Sequence, residues 1–256
     1  DINFGIKNNV SFIALSFVRS AKDILTLRSI LNRKKSPIKI IAKIENQEGL
    51  DNIHEITKAA DIVMVARGDL GIETDLADLP NIQRRIMYAS AKWGRRSIVA
   101  THLLESMIHN PTPTRAEVTD VANAIYEGAD AVMLSAESAA GKYPIESVTM
   151  QQLIINKVES DEVYRDNLDR FAQETTVRLS TDAINTAITL AARQTADISK
   201  SKVIVAFTSS GMVIFTLIHI YKHILIYTYN YTYAYTHRYI HTYIHVLDTT
   251  YTYTYI

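Results

Sequence analysis

IKIIAKIENQEGLDNIHEITKAADIVMVARGDLG, residues 38–71, holds two near-continuous apolar runs, Ile38–Ala42 and Ile62–Ala66, separated by a stretch of helical spacing. Runs this short, joined through a helix, predict parallel strands buried on both faces. The first run ends in Lys43-Ile44-Glu45 and the second in Arg67-Gly68-Asp69. Side chains alternate along a strand, so Lys43 and Glu45 share one side. Asp69 is expected at the same level, at the end of the neighbouring strand. A lysine and two carboxylates at the C-terminal ends of parallel strands predict a site for a divalent cation and an oxyanion.

Working outward, the same unit recurs. Upstream, Val10–Phe17 is apolar and β-rich, and Ser20 with Asp23 forms a helix start ahead of Ile24, Leu27, Ile30 and Leu31. Leu50, Ile53 and Ile56 mark the helix between the two central strands. Downstream, a helix around Ile82–Ala91 stops at Gly94, and Ser97–Thr101 is a fourth strand. Thr114 and Glu117 form a capping box opening the next helix. Ala131–Leu134 is a fifth strand, ending in Ser135-Ala136-Glu137, and Pro144 opens a long helix over 145–159. Five βα units in succession predict an α/β fold with a parallel sheet. Polar residues close nearly every strand: Ser16, Lys43, Glu45, Asp69, Thr101, Ser135 and Glu137. That convergence favours a (β/α) barrel, in which all strand C-termini face one mouth. A doubly wound sheet gathers its site at one switch point, and neither GxGxxG nor GxxxxGK[ST] occurs here.

Composition bounds the alternatives. The 256 residues carry a formal net charge of zero, which gives no electrostatic footprint for nucleic acid and no basic face for a membrane. There is no cysteine, hence no structural disulfide. The start, Asp1-Ile2-Asn3-Phe4, is neither a secretory signal nor a transit peptide and lacks an initiator Met, so a fragment is expected. Three regions are expected: a partial barrel over 1–160, an incomplete second α/β domain over 161–211, and a Tyr/Thr/Ile/His tail over 212–256. In the second, Thr181–Ala196 reads as an amphipathic helix and Lys202–Phe207 as a strand. The tail's alternation specifies register poorly and is read as disordered or artefactual. Lys222, flanked by His219 and His223, argues against a membrane span there.

Each candidate residue has a functional and a plain reading. Magnesium takes oxygen ligands and uses one or two carboxylates, leaving places for substrate and water; Glu45 and Asp69 suit it. The plain reading has both solvated or paired with Arg67. Lys43 can offset charge on a phosphoryl group or an enolate, form a Schiff base, or snorkel to water. Thr101 can bind a carboxylate, relay a proton, or line the rim. Gly68 lets the backbone approach an anion. By alternation His102 is expected to line the helix layer, and Arg115 to serve at a helix start.

The stretches IIAKIENQEG, IVMVARGDLGIE, VATHLLESM, PTPTRAEVTDVANAIYEGADAVMLSAES and GKYP together resemble pyruvate kinase. The resemblance is close over residues 1–160, looser over 160–211, and stops at Gly211. It implies the last five strands of a (β/α)8 barrel followed by an incomplete C-terminal domain. It also implies phosphoryl transfer from phosphoenolpyruvate to ADP in a cytoplasmic, homo-oligomeric, typically tetrameric enzyme. Under it, Lys43 stabilises the transfer and the enolate, and Glu45 and Asp69 bind Mg²⁺. Lys43, Gly68, Asp69, Thr101 and Ser16 match substrate contacts. The K⁺ ligands of the family belong to an N-terminal part that this sequence does not contain. His102 stands where many members have Gln or Asn, and Ala136 replaces a commoner Gly. Thr208-Ser209-Ser210-Gly211 resembles the start of an effector-binding loop. The alternative is a non-catalytic truncated remnant.

Overall fold

Five short strands lie side by side in a computed structural model of the chain, which describes residues 1–164, 183–199, 201, 203–208 and 225–230. They are β1 (Phe12–Leu15), β2 (Lys39–Ile44), β3 (Ile62–Ala66), β4 (Arg96–Ala100) and β5 (Ala131–Met133). All neighbouring pairs are parallel and the spatial order is the order in the chain. A doubly wound sheet reverses its strand order at a switch point; this sheet never does. Each crossover steps the same way, which is how a (β/α) barrel winds. The sheet is part of such a barrel, as the alternation of elements predicts.

Register explains the two faces. Ile41 pairs with Ile62, Met64 with Ile98, and Ala100 with Met133. Ile41, Ile62, Met64, Ile98 and Ala100 form one buried cluster, with Phe12 and Met133 packed against it. The opposite face carries Ile40, Ala42, Ile44, Val63, Val65 and Val99, all buried. The helices are α1 (Ile2–Lys7), α2 (Ala21–Arg33), α3 (Gln47–Asp51), α4 (Ile53–Ala59), α5 (Arg67–Glu73), α6 (Leu79–Lys92), α7 (Arg115–Tyr126), α8 (Ala136–Ala139) and α9 (Pro144–Glu159); α2 packs on β2, α6 on β3 and β4, and α7 on β5, covering that second face. Their apolar stripes face inward: Ile24, Leu27 and Leu31 from α2, Ile82, Ile86 and Met87 from α6.

Local chemistry sets the boundaries. Asp23 accepts the Ser20 N–H at 3.0 Å, and Glu117 and Thr114 cap α7 reciprocally, as both sequence signatures predict. Gly94, with φ +60°, follows α6 as its stop. The first strand is shorter than expected, and the fourth starts and ends one residue earlier. The segment after β1 turns at Phe17 (φ +53°), and β4 ends at Ala100 because Thr101 has φ +77°. The helical stretch after β2 breaks at Asn52 into α3 and α4.

Contacts divide the chain into Asp1–Asn167 and Leu168–Ile256. In the second unit a helix spans Ala183–Ser199, and β6 (Val203–Thr208) pairs in parallel with β7 (Leu225–Asn230), from Val203↔Leu225 to Thr208↔Asn230. Ser209-Ser210-Gly211, and the tail apart from β7, lie outside the described residues. No described helix is long and apolar enough to cross a membrane.

Candidate active site

The C-terminal end of β2 builds the first half of the site. Lys43 continues the face of Ile41, and Glu45 follows two residues on, just past the strand. Glu45 is fully buried. Its Oε2 accepts the Phe17 N–H at 2.5 Å, an amide presented by the left-handed turn after β1. Its Oε1 lies 2.5 Å from Lys43 Nζ, an ion pair outside hydrogen-bond alignment, so that oxygen has no hydrogen-bond donor among the described residues. Lys43 Nζ donates to Ser16 Oγ at 3.1 Å. Ser16, Lys43 and Glu45 therefore form one cluster across β1 and β2.

The second half comes from β3 and β4. Asp69 was expected at a strand end; it sits instead in the first turn of α5, which begins at Arg67 directly after β3. The chain leaves extended backbone at Ala66 (φ −91°, ψ 78°), so strand alternation no longer governs Gly68 and Asp69. Asp69 is half-buried and makes no hydrogen bond or ion pair among the described residues. Gly68 lies against Thr101: a Cβ on it would be 3.0 Å from Thr101 Cγ2. Thr101 and His102 both have positive φ, +77° and +55°, a genuine outlier for a β-branched residue. His102 is exposed rather than lining the helix layer; Ala100 lies on the face away from the helices, so strict alternation would put His102 there and Thr101 on the helix side, and alternation ends in any case where the backbone turns left-handed.

From its place after β3, Arg67 is expected to pair with the mouth carboxylates. It is 8% exposed and pairs with Asp120, Nη1 to Oδ1 at 2.8 Å. Its Nε and Nη2 donate to the Thr101 carbonyl at 3.1 and 2.7 Å, and Nη2 also to the His102 carbonyl at 3.2 Å. The available signal was a cation directly following a wholly apolar strand. Glu137, also counted among strand-end groups, is buried in α8; it accepts the Leu104 N–H at 3.1 Å and the Ser135 N–H at 2.8 Å. Arg115 is exposed at the first position of α7.

A pyruvate kinase barrel-domain family model matches residues 1–148. The chain belongs to the pyruvate kinase family. A pyruvate kinase of Staphylococcus epidermidis is 47% identical over 211 residues, covering 82% of this chain and 35% of the relative. One from Staphylococcus aureus is 46% identical over the same extent. A crystal structure of a pyruvate kinase from Cryptosporidium parvum superimposes with a TM-score of 0.81 at 33% identity, covering 90% of this chain and 47% of that one. The chain thus spans about a third of the length of the curated relatives it matches.

The donor set fits the divalent cation that a pyruvate kinase barrel implies. Glu45 offers a buried carboxylate whose Oε1 is ion-paired with Lys43 at 2.5 Å and has no hydrogen bond, and Asp69 a carboxylate without a partner among the described residues. No group of three or more His, Cys, Asp or Glu able to hold a metal occurs among the described residues.

Proposed function

We propose that this site serves phosphoryl transfer from phosphoenolpyruvate to ADP, giving pyruvate and ATP. The observation that carries the reading is Lys43 Nζ, held between Ser16 Oγ at 3.1 Å and the buried Glu45 carboxylate at 2.5 Å. An ammonium fixed in this way offsets negative charge on the moving phosphoryl group and on the enolate left behind. Thr101, against Gly68, offers its hydroxyl to the substrate carboxylate or to the proton that converts enolate to pyruvate. The Gly68 and Asp69 amides belong to the first turn of α5, whose N–H groups have no intrahelical partner, and can take the same carboxylate. Glu45 and Asp69 would hold Mg²⁺, which when bound neutralises charge on the phosphoryl oxygens. K⁺ dependence, homo-oligomer formation and a cytoplasmic glycolytic role belong to the same proposal, and no residue described here is assigned to K⁺.

A second reading, a polypeptide that folds but does not turn over, is favoured by one observation. The sheet has five strands, and β1 and β5 each have a single neighbour among the described residues. The 256-residue chain alone is accordingly expected to show no turnover when pyruvate formation is coupled to NADH oxidation. Titration with Mn²⁺ tests the site itself. Glu45→Gln and Asp69→Asn should each weaken binding by at least about 10-fold, since even groups behind a metal ligand contribute that much. Undiminished affinity in both variants removes the metal assignment.

A further inference from the structure

The corner after β4 is the most strained backbone in the site, and the groups that hold it were not part of the chemistry above. Ala100 shares the face of Ile98 and Met64, so an extended Thr101 would turn its side chain to the helix-covered face. The left-handed conformation at Thr101 and His102 interrupts that alternation, and Thr101 lies against Gly68 instead. Single non-glycine residues visit this region at a cost; two in succession need an external hold.

That hold is visible. Consecutive carbonyls point in opposite directions along a strand but the same way in helical conformations of either hand. Two left-handed residues therefore present two carbonyls to one donor. Arg67 Nη2 takes both, the Thr101 oxygen at 2.7 Å and the His102 oxygen at 3.2 Å, and Nε adds a second bond to Thr101. Asp120 balances the buried guanidinium. On the far side, Glu137 fixes the Leu104 N–H. The segment is anchored by residues just past β3 and β5, the two strands that flank β4.

We propose that Arg67 is a positioning residue for Thr101: its fork keeps Thr101 and His102 left-handed and thereby keeps the Thr101 side chain on Gly68. The consequence for substrate rests on the reading of Thr101 given above; the clamp itself does not.

The test uses the 256-residue chain with Arg67→Met, His102→Gly and the double variant. Glycine adopts positive φ without steric cost, so it supplies at 102 what Arg67 otherwise enforces. Arg67→Met should lower the folding equilibrium constant about 10- to 100-fold, the worth of charged hydrogen bonds. His102→Gly should stabilise the Arg67→Met chain at least about 3-fold less than it stabilises the wild type, because without the clamp the His102 strain has already relaxed. Under native conditions the nuclear Overhauser contact between the Thr101 methyl and the Gly68 Hα should be present in the wild type, lost in Arg67→Met and regained in the double variant. A merely structural arginine would lower stability yet leave that contact intact in the folded population. If Arg67→Met does not fold, Asp120→Asn should show the same coupling to His102→Gly at smaller size. Additive effects, or an unchanged contact, overturn the clamp. Coupling and contact as stated, in a chain that fails to bind phosphoenolpyruvate with Mn²⁺, uphold the clamp and refute the proposed function.

Discussion

Replacing Gly68 with Ala would set a methyl group against one already in place. The added Cβ would lie 3.0 Å from Thr101 Cγ2, 3.7 Å from its Cβ and 3.8 Å from its Oγ1. Carbon atoms rest at about 3.5–4.0 Å, so the pair must open by at least ~0.5 Å. Thr101 has little freedom to yield, being β-branched and held at its carbonyl by Arg67. Overpacking of this kind costs about 1–3 kcal/mol. Alanine is favoured over glycine in a helix by up to about 1 kcal/mol, less in the first turn of so short a helix. The net expectation is a loss of about 1 kcal/mol, or ~2–4 °C in Tm for a unit of this size. The decisive comparison is Thr101→Ser, which removes Cγ2 and keeps the hydroxyl. In that background Gly68→Ala should become neutral or stabilising, a coupling of about 1–2 kcal/mol. Urea unfolding of the four proteins, followed by circular dichroism, measures it. Coupling within about 0.5 kcal/mol of zero would show that the two residues do not touch.

Three other glycine and carboxylate changes follow from the same coordinates. Gly141→Ala places a Cβ 2.5 Å from the Glu137 carbonyl oxygen and 3.2 Å from Ile108 Cα. Both are backbone atoms, so a loss of about 3 kcal/mol is expected in denaturant melts; a loss below about 1 kcal/mol would contradict the packing. Gly94→Ala meets nothing within 4 Å but must hold φ +60°, which costs about 1–2 kcal/mol; Gly94→Asn should recover most of it, and equal losses would argue against a left-handed stop. Burial pushes the Glu117 carboxyl up, but hydrogen bonds from Ser106 and Thr114 outweigh it and hold the group below its ordinary 4.5. A depressed folded value means stability that is complete above the unfolded value and lost as pH falls through the folded one. Glu117→Gln should therefore cost about 1 kcal/mol at neutral pH and flatten the acid limb below the ordinary carboxylate range. A constant difference down to strong acid would show that the cap is not ionic.

Much of the fold was legible because its signals are local. The runs Ile38–Ala42 and Ile62–Ala66 are apolar enough to mark strands covered on both faces, and both lie within observed strands or one residue of them. Ser20 with Asp23 and Thr114 with Glu117 announce helix starts through bonds spanning three residues. Lys43 and Glu45 could be placed together because extended backbone has a period of two. The same rule put Asp69 on a strand where the backbone had already left the extended state, and His102 was misplaced because Thr101 rather than His102 was set on the face that Ala100 occupies.

What the sequence by itself determined is the order of βα units, the caps, the family, and the side on which Lys43 and Glu45 emerge. These follow from periodicity and short-range hydrogen bonding, which the chain carries wherever it goes. Only the tertiary structure decided the corner at Thr101 and His102, the pairing of Arg67 with Asp120 rather than with a site carboxylate, and the use of Glu45 to hold the Phe17 amide. Each joins residues 28 to 53 positions apart. A buried charge is costly until a partner arrives, and which partner arrives depends on how the strands lie beside one another, which no local pattern records.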